Sequence, residues 1–251
     1  MSLNLPLKLD ADPIIDAVIE IRLESSPSLS DVLPGVLLQA LGDEIGSIDR
    51  LPAADLPKPV RDNDPNLIYQ PLVRIVLGGY TILVGDRVLA LACTIPYPGG
   101  AEFKKKAIDV FTRVLKLSIV KKVTRVSMKY VDFIVGDELN SVIPYLNFSM
   151  SIGNDTISEN NSFGVRLEIP DNKFVHLVQV AAPVDVKVQS GPQQKGLLIE
   201  VDSIFPVKNL SVLEVEEGFS KLVDELHLAN KDKFFALLTP YALNMLGAKY
   251  E

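Results

Sequence analysis

Apolar and polar residues alternate along the first regular stretch of the chain, Ile14–Glu24. One side carries apolar residues and the other mainly charged ones: Ala17, Ile19, Ile21 and Leu23 against Val18, Glu20, Arg22 and Glu24. A period of two residues is that of a β-strand with one buried face. The pattern therefore predicts a strand that packs one face against a core.

Similar apolar stretches, bounded by glycine, proline or polar residues, predict further strands. They are Leu72–Leu77, Tyr80–Val84, Val88–Thr94, Val123–Val135, Tyr145–Ile152, Phe163–Ile169, Phe174–Ala181 and Gly196–Phe205. The Gly78-Gly79 and Gly85-Asp86 doublets suit tight hairpin turns, so the first three of these strands should pair antiparallel. Residues 170–173 (Pro-Asp-Asn-Lys) predict another hairpin by the same turn chemistry.

Apolar residues at helical spacing predict helices. These are Ser30–Leu41, Ala101–Leu117, a helix beginning near Ser211, and Lys231–Leu246. Pro34 is placed early enough to be a first-turn proline. Ser211 and Glu214 have the spacing of a capping box. We expect a break around Asn230 between the last two helices, and a kink or restart at Pro240.

Four stretches follow neither period and are predicted to be loops: Gly46–Gln70, Gly136–Ile143, Gly153–Ser162 and Pro183–Gln194. The first is the longest and is rich in proline. A loop of that size inside a compact domain is unusual, and is often functional or mobile. An insertion without consequence would have the same composition, so the role of this stretch stays open.

The order of elements favours the α+β class, in which antiparallel curved sheets are packed by helices. It also suggests two related sheet-plus-helix halves, 1–135 and 136–251, the second ending in two helices. We expect the two halves to form one compact unit. No repeat at a fixed period is visible, which argues against solenoids and propellers.

Composition and charge bear on core formation and on nucleic-acid binding. The chain has 251 residues, of which 47% are hydrophobic, enough for a real core. A net charge of -7 argues against a surface that binds nucleic acid throughout. Local lysine runs, Lys104-Lys105-Lys106 and Lys121-Lys122, lack the interleaved aromatic residues of a nucleic-acid patch.

Several features predict a cytoplasmic protein with no membrane segment. A single cysteine, Cys93, allows no intramolecular disulfide and reads as a packed core thiol. Met1–Asp10 does not resemble a targeting segment. The most apolar stretch, Leu83–Ile95, is far too short for a membrane helix.

The motifs of the common catalytic and nucleotide-binding classes are missing from the sequence. No phosphate-binding glycine loop, GxSxG or HExxH motif occurs. The two histidines, His176 and His227, are far apart in sequence and are interpreted as structural or solvated. We therefore predict no catalytic residue, no metal site and no cofactor, although distant residues can converge.

Charged residues recur on the predicted strands. They are Glu20, Glu168, Glu200, Asp202, Arg22, Arg125, Lys129 and Arg166. Opposite charges on neighbouring strands form ion pairs, which is the first interpretation. The second is a polar groove that binds a phosphate or carboxylate, with Arg22, Arg125, Lys129 and Asp132 as its lining.

Three segments together resemble a sporadically distributed bacterial family of uncharacterised proteins of similar length. They are Asp12–Arg22 (DPIIDAVIEIR), Val123–Ile134 (VTRVSMKYVDFI), and Leu226-His227 with Phe234–Thr239 (FFALLT). The chain departs from the family pattern at Lys129, Asp132 and Phe133, where the family tends to carry arginine, asparagine and arginine. The patchy distribution of the family resembles that of accessory and defence genes.

These observations lead to two functional hypotheses. The first is a non-catalytic binding or regulatory protein that acts with a protein partner, in an accessory or defence locus. The second is a small-ligand-binding protein or enzyme with a polar pocket between the sheets. Nucleic-acid binding ranks third, and a homo-oligomer is open. Tyr130 shares a strand face with Val126 and Met128, so we expect a buried ring whose hydroxyl finds a partner.

Overall fold

The chain, described by a computed structural model at residues 5–136, 143–156, 162–187 and 192–250, combines strands and helices. The strands are β1 (Lys8–Leu9), β2 (Ile14–Ser25), β3 (Ile45–Arg50), β4 (Pro71–Leu77), β5 (Tyr80–Gly85), β6 (Val88–Cys93), β7 (Val120–Val135), β8 (Ser151–Ile152), β9 (Asp155–Thr156), β10 (Phe163–Asp171), β11 (Phe174–Lys187), β12 (Gln193–Pro206) and β13 (Ala248–Lys249). The helices are α1 (Leu29–Leu41), α2 (Lys58–Asn63), α3 (Gly100–Leu115), α4 (Val212–Leu237) and α5 (Pro240–Met245).

Nine of these strands form an open antiparallel sheet in the order β10-β11-β12-β7-β2-β6-β5-β4-β3. Two short ribbons, β1–β13 and β8–β9, accompany it. The predicted α+β class, with antiparallel strands and packing helices, is confirmed. The proposal of two related sheet-plus-helix halves stays a prediction.

Contacts along the chain divide it into two compact units. The terminal unit comprises Met1–Ile15, Lys129–Ser203 and His227–Glu251, and the central unit comprises Asp16–Met128 and Ile204–Leu226. Strands β2, β7 and β12 and helix α4 contribute residues to both. These units interleave along the sequence, whereas the halves 1–135 and 136–251 are contiguous; that division stays a prediction.

Antiparallel hairpins and amphipathic helices build the central unit. Strands β4, β5 and β6 pair in sequence order, with a tight turn at Gly78, whose φ is +56°. The predicted apolar face of α3 is buried, and the Phe111 ring lies 5.3 Å from that of Phe219 in α4. The capping box at the start of α4 is confirmed, because the Glu214 N–H donates to Ser211 Oγ at 3.2 Å.

The prediction of a loop over Gly46–Gln70 is wrong. The stretch forms most of β3, a 3-10 turn at Pro52–Asp55 and helix α2. Its prolines do not break these elements, because Pro52 opens the 3-10 turn and Pro59 lies in the first turn of α2, where the missing N–H costs nothing. The interpretation of Pro34 as a first-turn proline is also wrong, since it lies inside α1.

A buried aspartate anchors α2 in the central unit. Asp86 Oδ1 accepts a hydrogen bond from Ser30 Oγ at 2.7 Å, and Oδ2 accepts one from Arg61 Nη2 at 2.9 Å. Lys58 Nζ lies 3.7 Å from the same carboxylate. Burial alone would raise the pKa of Asp86, but these donors and charges outweigh it and hold the pKa below its ordinary value.

The terminal unit has its own hydrophobic core. Its buried members come mainly from β7, β11, β12, α4 and α5. They include Ile134, Val178, Val180, Leu197, Ile199, Val201, Phe234 and Ala242, with Leu238 between the two helices. The predicted β10–β11 hairpin is confirmed, with a two-residue turn in which Asn172 has a φ of +52°. Asparagine tolerates this left-handed conformation better than most residues.

Three predictions about the terminal unit need correction. The strand predicted at Tyr145–Ile152 is wrong except for Ser151–Ile152, because the backbone at Tyr145 instead accepts a hydrogen bond from Thr239 N–H at 2.9 Å. The loop predicted at Pro183–Gln194 is wrong at both ends, since β11 runs to Lys187 and β12 begins at Gln193; residues 188–191 lie outside the described residues. Pro183 lies just beyond the last pair with β10, Ala182–Phe163, so it interrupts none of that ladder.

The expected helix break around Asn230 is also wrong, because α4 continues to Leu237. Asn230 is buried, and its side-chain amide donates to the Val201 carbonyl of β12 at 2.7 Å. Helix α5 begins at Pro240, and the Thr239 hydroxyl caps it by accepting from the Ala242 N–H at 3.2 Å. The predicted restart at Pro240 is confirmed.

Candidate functional site

Two of the four predicted ligand-binding residues lie in the central unit around Glu20. Arg22 Nε donates to Glu20 Oε1 at 2.8 Å, and Arg125 Nε lies 4.0 Å from the same oxygen. The Arg22 guanidinium also stacks over the Tyr69 ring at 4.2 Å from its centroid. All three charged side chains are partly buried, which strengthens their mutual attraction relative to bulk water. We call these four residues the arginine cluster.

Lys129, the third predicted residue, lies in the terminal unit. Its Nζ is 4.0 Å from Glu200 Oε2, and the two residues lie on β7 and β12, which are neighbours in the sheet. This contact and the arginine cluster match the ion-pair interpretation of the charged strand faces. The alternative of a ligand-binding groove lined by the predicted residues stays a prediction.

Asp132, the fourth predicted residue, is buried in the terminal unit with 3% of its surface exposed. Burial, and after it the negative charge of Asp12, raise the pKa of Asp132 well above its ordinary value. Burial also raises the pKa of Asp12, although its Oδ1 accepts the Ile14 N–H at 3.1 Å. Two carboxyl groups that disfavour charge therefore lie in one neighbourhood.

A network in the terminal unit that sequence analysis missed joins Asp171, His176, Ser203 and Lys233. His176 Nδ1 lies 2.9 Å from Ser203 Oγ, and its Nε2 lies 3.9 Å from Asp171 Oδ2. Lys233 Nζ lies 2.7 Å from the same Asp171 oxygen. The pairing of His176 on β11 with Ser203 on β12 depends on strand register, so sequence spacing alone gives no signal for it.

This serine, histidine and aspartate do not form a working nucleophile. Ser203 and His176 are 0% and 1% exposed, so no substrate reaches the hydroxyl. The histidine–aspartate separation of 3.9 Å exceeds hydrogen-bond length. Burial lowers the pKa of His176, as does the charge of Lys233, while Asp171 and Asp232 oppose the shift. The histidine therefore serves as a neutral structural group.

The second histidine pairs with Tyr130. Tyr130 is buried, as predicted, and its hydroxyl lies 3.1 Å from His227 Nδ1. The two rings meet edge to face with centroids 5.9 Å apart. The prediction that this tyrosine packs inward and that its hydroxyl finds a partner is confirmed.

Exposed large apolar side chains gather where the chain ends meet in the terminal unit. Strands β1 and β13 pair as Lys8–Lys249, directly after α5. This corner carries four such side chains with exposures between 42% and 69%: Leu7, Tyr241, Met245 and Tyr250. Tyr241 and Met245 lie one helical turn apart, on one side of α5. We call this surface the apolar corner.

Other features of the described residues bear on function. Two lysines of the Lys104-Lys105-Lys106 run in α3 form ion pairs. Lys104 Nζ lies 2.5 Å from Asp224 Oδ1, and Lys106 Nζ lies 2.7 Å from Glu44 Oε2. Within the described ranges, no three potential ligands among histidine, cysteine, aspartate and glutamate lie together as a metal site would require. None of the helices described is long and apolar enough to cross a membrane.

No protein-family model matches the chain. No curated protein matches it at a significant level. The resemblance to a bacterial family therefore stays a prediction, and the fold itself is an open antiparallel α+β sheet.

Proposed function

We propose that the chain is a non-catalytic binding or regulatory protein that acts with a protein partner. The observation that carries this proposal is the apolar corner, where four large apolar side chains are exposed on α5 and beside the β1–β13 ribbon. Contiguous exposed apolar surface, rimmed by polar residues, is typical of protein interaction sites. Here the rim includes Lys249 and Asp10, which form an ion pair at 3.0 Å.

The placement of reactive side chains supports the same proposal. Groups that could act as nucleophile or base are turned into the interior, as in the Ser203–His176 pair. Asp132 is likewise buried, and its burial raises its pKa well above the ordinary value. Tyrosine and methionine, by contrast, are exposed in the apolar corner, and these residue types are enriched at protein interfaces.

The resemblance to a patchily distributed bacterial family suggests where the partner is encoded. We place the partner among products of neighbouring genes in an accessory or defence locus. A single cysteine suits a reducing compartment, so we place the complex in the cytoplasm. The partner should present a complementary apolar surface with its own polar rim.

The test is co-expression of the full chain, tagged, with the product of each neighbouring gene. We expect one of them to co-purify in stoichiometric amounts, and the double variant Tyr241→Arg/Met245→Arg to abolish capture. Leu213→Arg is the matched control, because Leu213 is an equally exposed apolar residue of α4 outside the apolar corner. No stoichiometric partner, or capture insensitive to the double variant, contradicts the proposal.

A second candidate function is anion binding by the arginine cluster. Arg22 stacked on Tyr69, with Arg125 beside Glu20, resembles the planar stacking that binds carboxylates and phosphates. This candidate uses two of the four predicted residues, since Lys129 and Asp132 belong to the terminal unit. Thermal unfolding with phosphate, nucleotides and dicarboxylates tests it, because a bound ligand raises the apparent stability. A rise in the unfolding temperature that is lost in Arg22→Gln supports anion binding. If none of these ligands raises the unfolding temperature, this candidate function is contradicted.

A further inference from the structure

Strand β10 lies at one end of the nine-stranded order, so one of its edges has no neighbouring strand among the described residues. It pairs with β11 without interruption from Phe163–Ala182 to Asp171–Phe174. An edge strand of this kind leaves every second backbone N–H and C=O group without a ladder partner. β10 is therefore a long, regular template for another strand.

Apart from Pro170 near one end, the side chains of β10 do not protect this edge in the usual way. Leu167, at its centre, is 52% exposed, which is unusual for a leucine in a strand. It is flanked by Arg166 and Glu168, which are also exposed and share the opposite face. Protected edges typically carry lysine or inward-pointing charges that repel a second strand. Here one positive and one negative charge stand two residues apart.

The opposite end of the sheet offers a contrast. Strand β3 pairs with β4 through a register shift between Ile45 and Ser47, which distorts its edge. The charge at Asp49 is already engaged by Arg74 Nη2 at 3.0 Å. A bulge discourages further pairing because it twists the edge and disrupts the ladder. The β3 edge therefore serves as the control for the β10 edge.

We propose that β10 pairs antiparallel with β10 of a second copy of the chain, about a two-fold axis at Leu167. This register is self-complementary. Arg166 of each copy lies opposite Glu168 of the other, and the two Leu167 side chains face each other. On the same face as Leu167, Val165 lies opposite Ile169 of the second copy.

The position of Pro170 agrees with this register. Proline lies in edge strands with its nitrogen directed away from the ladder. Pro170 therefore indicates that the even-numbered residues of β10 direct their backbone N–H and C=O groups away from β11, towards the free edge. Arg166 and Glu168 of opposite copies then exchange both backbone hydrogen bonds of each pair. Pro170 has no N–H to donate and lies opposite Gly164 at each end of the ladder, so one hydrogen bond is lost at each end.

The first test is the oligomeric state of the full chain by sedimentation equilibrium from about 1 to 100 µM, the span in which weak to moderate contacts associate. We expect a reversible monomer–dimer equilibrium that weakens at high salt, because opposite charges across the strands contribute to it. A chain that stays monomeric throughout overturns the proposal.

Charge exchange tests the register. Arg166→Glu and Glu168→Arg should each raise the dimer dissociation constant by at least about tenfold, because each places like charges opposite one another twice. The double variant Arg166→Glu/Glu168→Arg should restore the dimer. Mixing the two single variants should give a heterodimer, since one then carries two acidic and the other two basic residues. A dimer indifferent to the single changes, or one that the double change fails to restore, overturns the proposal.

Two further variants separate this contact from other surfaces. Leu167→Lys should abolish the dimer, whereas Ile48→Lys on β3 should leave it unchanged. Circular dichroism and thermal unfolding confirm that each variant is folded. Tyr241→Arg/Met245→Arg should also leave the dimer unchanged. The proposal of self-association through β10 and the proposal of partner binding at the apolar corner can therefore be contradicted separately.

Discussion

The hydroxyl oxygen of Tyr130, on β7, lies 3.1 Å from Nδ1 of His227, on α4. This hydrogen bond connects strand and helix within the terminal unit, to whose core both elements contribute. A buried phenol without a partner would carry the cost of its lost hydration. The histidine accordingly has a structural role that accounts for its place on the inner side of α4.

The first prediction concerns Tyr130→Phe. The change removes the hydroxyl and leaves the ring packing intact, so we expect the free energy of unfolding to fall by about 1–2 kcal/mol. Tyr130→Ala should cost roughly 3–5 kcal/mol, as for other large buried aromatics. Urea unfolding measures both.

A double-variant cycle with His227→Leu isolates the pair. Once His227 is replaced, Tyr130→Phe should cost clearly less than in the parent chain, because the partner is gone. An equal cost in both backgrounds contradicts the pairing. Loss of partner or ligand binding by Tyr130→Ala without loss of stability would show that this face is a binding surface.

The second prediction is a pH dependence that stems from His176. Burial lowers its pKa in the folded chain, whereas in the unfolded chain it titrates near the ordinary value of 6.5. Its contribution to stability is therefore fully present above pH 6.5 and is lost as the pH falls below it, since only the unfolded chain takes up the proton.

Urea unfolding between pH 8 and pH 5 checks this prediction against His176→Gln. The variant keeps a polar partner for Ser203 but does not titrate, so its stability should change less over the same range. Because Asp171, Asp232 and Lys233 remain in both chains, the difference between the two profiles isolates the histidine. Parallel profiles would contradict the assignment.

The third prediction concerns Asp132, whose contribution to stability changes with pH in the opposite direction to that of His176. Its pKa in the folded chain is raised well above the ordinary value of 3.8 by burial and by Asp12. Stability from this group is thus present below pH 3.8 and is lost as the pH rises through the folded pKa. Asp132→Asn should raise the urea midpoint at pH 8, and the gain should shrink towards acidic pH. A variant that is less stable at pH 8 contradicts this account.

The fourth prediction concerns the Asp86 anchor of α2. Asp86→Ala leaves Arg61, whose side chain is 12% exposed, without its carboxylate, and should cost about 2–3 kcal/mol. The matched control is Asp55→Ala, which breaks an exposed pair with Arg50 and should cost less than about 1 kcal/mol. Thermal unfolding at low and high salt measures both. Equal effects would mean that α2 is not held by Asp86.

The fifth prediction tests a close approach in the terminal unit. A Cβ at Gly196 of β12 would lie 2.2 Å from the carbonyl oxygen of Ile134 in β7, so Gly196→Ala should cost about 1–3 kcal/mol or more. Gly164→Ala is the control, because its Cβ would meet nothing nearer than Ala181 Cβ at 4.0 Å. A neutral Gly196→Ala would show that the strands separate easily there.

The sequence by itself determined the fold class and most of its elements. The alternation at β2, the glycine turns between β4, β5 and β6, and the apolar face of α3 are local patterns set by backbone geometry. The capping box at Ser211 is equally local, because its two residues lie within one helical turn. Burial of Tyr130 followed from the same periodicity.

Tertiary structure decided the rest, because the deciding interactions join residues distant in sequence. The sequence around Asn230 predicts a helix break, but the helix continues and the Asn230 amide donates to the Val201 carbonyl. The prolines of residues 46–70 predict a loop, but a proline is compatible with the first turn of a helix, where Pro59 lies. The four predicted ligand-binding residues separate into the arginine cluster, a Lys129–Glu200 pair and a buried Asp132, since strand order and not spacing decides which charges meet. Only that order leaves β10 at an edge, where its alternating charges could face a second copy.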